Sequence, residues 1–218
     1  MNKFFGIDGP LYRLGSALWD VLALNFLWLI CSLPILTMGA STTALYYVTT
    51  RRVSAREGYI WRDFFRAFKE NFKEASKIWL SLLAAGFVVF INMYNMLYNK
   101  GFAAKLGGAA PLLLTAQIVF FVEIITLGLY AFPILSRFHM GALSVIKTAL
   151  LLQHRHLPTS VLLTAMFLAV LAAAFAVVWV PLNASALLFG AGGYAYAASF
   201  LFMRVFRIYR PGMDSDEQ

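Results

Sequence analysis

Long apolar runs separated by two mixed, basic stretches set the pattern of this chain. Runs over about 18–38, 78–97, 110–135, 159–180 and 185–203 are each long enough to cross a hydrocarbon core of roughly 30 Å as a helix. Between them lie connectors at 39–77 and 136–158, in which apolar and charged residues recur at helical spacing. The pattern predicts an all-α, polytopic membrane helix bundle of about five transmembrane helices plus cytoplasmic amphipathic helices, forming a single integral membrane domain over 1–218.

The first connector carries the most ordered pattern. At about 100° per residue, Trp61, Phe64, Phe65, Phe68, Phe72, Ala75, Ser76 and Trp79 fall within an arc of roughly 120°. Arg62, Arg66, Lys69, Lys73 and Lys77 flank that arc, with Asp63, Glu70 and Glu74 beyond them. An aromatic face edged with cations suits a helix in the headgroup layer, because rings sink to the acyl boundary while Lys and Arg reach phosphates. The five cations are therefore candidate contacts for anionic lipid headgroups; the competing reading is a surface helix packed on protein with its charges solvated. Glu57-Gly58 reads as the turn before this helix, and its axis continues directly into the second span. Residues 39–50 read as a short helix, either an interfacial elbow or a partly re-entrant segment.

Composition supports a bilayer as solvent: 61% of the 218 residues are hydrophobic and only 13% charged, with mean hydropathy +0.73. The formal charge of +8 lies beside apolar runs, without a nucleic-acid-binding motif, so anionic lipid rather than nucleic acid is the expected partner. Cys31 is the single cysteine, which excludes an intramolecular disulfide and a cysteine-rich metal site. Residues 1–17 lack the long apolar core of a cleaved signal peptide and read as a short lead-in. Lysine and arginine number eight in 39–77, three in 136–158 and three in the C-terminal tail, against four elsewhere: Lys3, Arg13, Lys100 and Lys105. By the positive-inside rule this predicts a plasma-membrane protein with its N-terminus outside and its C-terminus in the cytoplasm. The loop through Lys100 and Lys105 reads as a hairpin, Pro181 and Asn183 as a tight turn, and 211–218 as an acidic, disordered tail.

Pro34-Ile35-Leu36, ending the first span, is echoed by Pro133-Ile134-Leu135 ending the third, and Met38-Gly39-Ala40 by Met140-Gly141-Ala142. Spans one–two and three–four then form parallel repeats, as in transporters that build a site between halves; chance matching of small and apolar residues is the alternative.

The segment Pro34-Ile35-Leu36-Thr37-Met38-Gly39-Ala40-Ser41 leading to Ala44-Leu45-Tyr46, followed by Phe64-Phe65-Arg66-Ala67-Phe68-Lys69-Glu70-Asn71-Phe72-Lys73, resembles the YesL-like family of small bacterial integral membrane proteins. That resemblance implies a setting in carbohydrate uptake, beside ABC-type sugar permeases and sensor kinases. It supplies no reaction and no ligand residues.

Glu123, near the middle of the third span, is the leading candidate for a ligand or proton site. A carboxylate at that depth costs about 2.5 kcal/mol or more on insertion scales and needs protein or water beside it. Thr126 and Tyr130 share its helical face, and Asn92 and Asn95 on the second span are candidate amide donors. The bland reading is a protonated glutamic acid that fixes helix packing. Tyr94, Tyr98, Tyr194 and Tyr196 are candidate sugar platforms or, more commonly for such rings, interfacial anchors. His154 and His156 alternate without a nearby carboxylate or cysteine in sequence, which disfavours a metal site, and no cofactor is expected. Gly190, Gly193 and Ala197, with Ala191, Ala195 and Ser199, and Ala165, Ala169 and Ala173 on the fourth span, are spaced for close helix approach, inside the molecule or with a partner. No P-loop, nucleophile elbow or metalloprotease motif is present, so the expectation is a protein that is not an enzyme. Two functions compete: an accessory or regulatory component of oligosaccharide uptake, and a small secondary transporter or channel using the intramembrane carboxylate.

Overall fold

A computed structural model describes residues 10–54, 59–99, 101, 107–138, 140–176 and 184–209. Among these are seven α-helices and no strand: α1 Pro10–Ser32, α2 Met38–Val53, α3 Ile60–Tyr98, α4 Ala110–Arg137, α5 Ala142–Arg155, α6 Leu157–Ala176 and α7 Ala184–Tyr209. The architecture is the all-α bundle the hydropathy predicts. Gly15–Ser32, Ile60–Tyr98, Gly107–Arg137 and Leu157–Ala174 each contain a stretch long and apolar enough to cross a membrane. The fifth expected span is helical within α7. The turns expected at Glu57-Gly58 and Pro181 to Asn183, Lys100 and Lys105, His139 and the acidic tail lie outside the described residues.

The first span ends six residues earlier than expected. Proline has no N–H and disfavours helix at the residue before it, so Pro34 ends α1 at Ser32, and Met38 belongs to the next helix. Thr37 Oγ1 lies 2.6 Å from the Cys31 carbonyl and 2.7 Å from that of Pro34, satisfying acceptors that the break exposes. The chain turns back and α2 runs antiparallel to α1: the Trp28 indole N–H donates to Thr42 Oγ1 at 3.1 Å, and further along Arg52 pairs with Asp20 at 3.3 Å.

Residues 39–50 are no elbow on the surface. They lie in α2, a central helix with Gly39, Ala40, Ser41, Thr43, Ala44, Leu45, Tyr46, Val48, Thr49 and Thr50 buried against α1, α3, α4 and α7. Its polarity does not prevent burial, because Thr42, Thr43, Thr49 and Thr50 hydroxyls return hydrogen bonds to carbonyls four residues earlier. Gly39 permits the closest approach: a Cβ there would lie 2.7 Å from the Ala75 carbonyl oxygen and 2.7 Å from Trp79 Cβ.

α3 is one helix of 39 residues, as its unbroken pattern predicts. Its packed face is rotated from the aromatic arc. Ile60, Asp63, Phe64, Ala67, Asn71, Ala75 and Ile78 are buried, while Trp61, Phe65 and Phe72 remain 55%, 42% and 39% exposed. The small side chains of Ala67 and Ala75 fit against α2, so only part of the expected arc is covered. This segment is therefore packed on protein along one stripe and open along the aromatic one.

α4 continues through Pro133 to Arg137, so that proline does not end it; it is buried, and Ser136 Oγ donates to its carbonyl at 2.7 Å. α5 and α6 meet at a kink at His156, with Pro158 tolerated in the first turn of α6. α7 packs on α1 through Gly192, where a Cβ would lie 2.6 Å from the Val21 carbonyl oxygen. Thr49 and Ser199 share a hydroxyl hydrogen bond at 2.8 Å, and Ser54 Oγ lies 3.8 Å from Met203 Sδ. The C-terminal end of α2 thus adjoins both the first half of α1 and the second half of α7.

Candidate functional site

Glu123 faces α5. Gln153 Nε2 donates to Glu123 Oε2 at 2.6 Å, and His154 Nε2 lies 3.8 Å from Glu123 Oε1. The Glu123 side chain is 43% exposed, so it is not sealed between helices. The amide partners expected for it are elsewhere: Asn92 and Asn95 donate to the carbonyls of Val88 and Ile91 on their own helix. Thr126 bonds to Thr164 at 2.9 Å, and the Tyr130 hydroxyl lies 3.0 Å from Ser160 Oγ. These two tie α4 to α6. The five residues expected to form one site therefore each bond to a different partner and are not brought together.

A different feature is large enough to hold a ligand. A cavity of about 770 Å³ lies between α1, α2, α3, α4, α6 and α7. Trp28, Leu82, Phe87, Phe121, Phe132 and Phe167 line its apolar walls; Asn25, Thr42, Tyr46 and Tyr194 bring polar atoms to it. Among the described residues no acidic or basic side chain lines it, and Glu123 is not among its walls. Asn25, buried in the middle of α1, fixes one side by accepting at Oδ1 from the N–H groups of Ala191 and Gly192 at 3.1 and 3.2 Å. A buried asparagine within an apolar run was the legible signal of this site. The cavity itself, assembled from six helices, has no local signature.

Residues 21–93 match a protein family of unknown function, DUF624. YesL-like proteins are included in that family. The DUF624 match spans all of α2 and most of α3, the pair in closest contact here. No curated protein and no solved structure gives a match.

The basic stripe divides in two. Arg66 bonds to the Tyr47 hydroxyl at 2.9 Å and pairs with Asp63 at 3.3 Å, while Lys77 pairs with Glu74 at 2.6 Å. Arg62, Lys69 and Lys73 are exposed beside Trp61, Phe65 and Phe72. Glu74 also accepts the Ala142 N–H at 2.8 Å, joining α3 to the start of α5. These two hydrogen bonds, the Lys77 one foremost, hold the Glu74 carboxyl below its usual pKa.

Among the expected sugar platforms, Tyr94 and Tyr98 lie against each other on the exposed side of α3, Tyr196 packs on Phe200, and only Tyr194 reaches the cavity. Among the described residues no group of three or more His, Cys, Asp and Glu comes together.

Proposed function

We propose that this is a non-enzymatic, accessory or regulatory membrane protein that works by docking its helices against a partner in the bilayer. The observation that supports this reading is the outward face of α6. Ala165, Ala169 and Ala173 are all exposed, although their four-residue spacing is that of a close helix contact. The internal small-residue contact is made instead by α7, whose Ala195 and Ser199 are buried, while Gly193 has nothing within 4 Å of a built Cβ.

The setting in oligosaccharide uptake, with an ABC-type sugar permease or sensor kinase as partner, rests on the resemblance to YesL-like proteins. Affinity purification in mild detergent from cells grown on plant oligosaccharides, with glucose as control, tests it. Stoichiometric recovery of a permease or kinase, lost in Ala169→Leu, supports the reading; recovery of this chain alone from both cultures sinks it. The transporter alternative has less support, since Glu123 stands outside the cavity.

Arg62, Lys69 and Lys73 are proposed to hold the outer stripe of α3 on anionic lipid at the cytoplasmic face. Replacing both lysines with glutamine should weaken binding to phosphatidylglycerol vesicles relative to neutral ones, and unchanged binding would remove this role. Because Asp20 in the first half of α1 and Met203 in the second half of α7 both lie beside the C-terminal end of α2, we place the start of α1 and the end of α7 together on the cytoplasmic side, in place of the opposite sides expected from counting charges. Labelling of single cysteines introduced near Arg13 and Arg207 in intact cells tests that placement.

A further inference from the structure

We infer that the cavity is a binding site for a membrane lipid, which inserts a long hydrocarbon chain among the rings and brings an uncharged oxygen to Tyr46. Leu29, Leu83, Phe87, Phe90 and Leu171 line the cavity and are also between 40% and 60% exposed. Its mouth therefore opens between the sides of helices that bear the apolar surface expected to face hydrocarbon. An occupant arrives from the bilayer, and the absence of charge among the lining residues excludes a charged headgroup from the interior.

Size and polarity narrow the occupant. A volume of about 770 Å³ falls within the roughly 300–1,000 Å³ of small-ligand pockets. Walls of this kind do not hold water, which needs two to four polar partners. A sugar would leave most of its hydroxyls unpaired.

One polar feature inside calls for a ligand atom. Tyr46 is 2% exposed, and its hydroxyl faces that of Tyr194 without a hydrogen bond of good geometry among the described residues. Tyr194 in turn donates to the Leu163 carbonyl over a long 3.4 Å. A buried phenol without a well-placed acceptor is costly in a low-dielectric interior, and a lipid hydroxyl or ester oxygen supplies one. The ligand class is a single-chain or neutral lipid such as a long-chain alcohol, a prenol or a diacylglycerol.

The test uses the full chain in phosphatidylglycerol and phosphatidylethanolamine nanodiscs containing hexadecanol with a diazirine at mid-chain. Photolabel should concentrate on peptides bearing Phe87, Phe121 and Phe167 and be displaced by plain hexadecanol. Gly86→Leu, whose built Cβ has 3.9 Å to its nearest neighbour and extends into the cavity, should reduce this labelling at least fivefold. Tyr46→Phe, which preserves shape, should reduce labelling by the alcohol about fivefold while leaving that by a diazirine hydrocarbon unchanged. Labelling spread over Val119 and Leu162 on the outside, insensitive to both substitutions, would overturn the inference. So would a disulfide between two copies of Phe87→Cys at full yield with no cavity labelling, because the cleft would then be a contact between chains.

Discussion

At Gly39 the step from α1 to α2 brings two backbones into contact, whereas at Gly141 the step from α4 to α5 leaves open space, with nothing within 4 Å of a built Cβ. Both glycines stand in a Met-Gly-Ala tripeptide shortly after Pro-Ile-Leu, and both lie at a helix start. The helices they introduce have different fates. α2 enters the centre of the bundle and lines the cavity, while α5 lies along α4 and contributes nothing to the cavity wall. The echo in sequence marks where helices begin. It does not make the two halves equivalent, and the site between them is built asymmetrically.

The largest effect that separates the two steps is expected from alanine at each glycine. Gly39→Ala forces its Cβ onto the Ala75 carbonyl and should cost about 3 kcal/mol by overpacking, whereas Gly141→Ala should change stability by no more than about 0.5 kcal/mol. Thermal unfolding in detergent checks both, and equal shifts would remove the asymmetry. Next in size is Glu74→Ala, which takes from the start of α5 its side-chain acceptor at Ala142 N–H and should cost about 1 kcal/mol, as loss of an N-terminal cap does. Hydrogen exchange should then rise across 142–155 and not across α2.

The same carboxylate gives a smaller, pH-dependent signature. Its pKa is lowered in the folded state, so its contribution is complete above the unfolded value of 4.5 and disappears as pH falls through the lower folded value. Glu74→Gln should therefore lower stability modestly at neutral pH, where the carboxylate's contribution is complete, and flatten part of the loss below pH 4.5. Glu123→Gln should have the smallest effect, within about 0.5 kcal/mol, because the partly exposed carboxylate bonds one amide and a neutral amide oxygen can accept the same bond from Gln153. A stability loss several times larger would mean that the α4 to α5 contact carries more than its exposure implies.

These contrasts track what the sequence could disclose. The apolar runs of α1, α3, α4 and α6 are legible because lipid-exposed helices must be apolar over their whole length. α2 is not, since its glycine, serine and threonines resemble a surface segment until helices on several sides supply the burial. The rotation of the α3 packing face was hidden for a related reason: the wheel ranks Phe65 and Phe72 as apolar, but small Ala67 and Ala75 decide which side fits α2. Glu123 stood out as a buried charge, yet its partner came from Gln153, thirty positions away, and not from the nearer-seeming Asn92 and Asn95. Tyr46 had no mark in the chain as a cavity residue.

The unbroken run of α3 has a mechanical consequence. Thirty-nine residues make a rod of about 58 Å. No proline interrupts it, so it has no built-in joint. Pivoting such a rod by about 10° at the Trp61 end sweeps the Tyr98 end through about 10 Å. The wall carrying Leu82, Leu83, Gly86 and Phe87 lies between those ends, so a tilt of α3 about its Trp61 end moves that wall by about half as much and changes the width of the cleft.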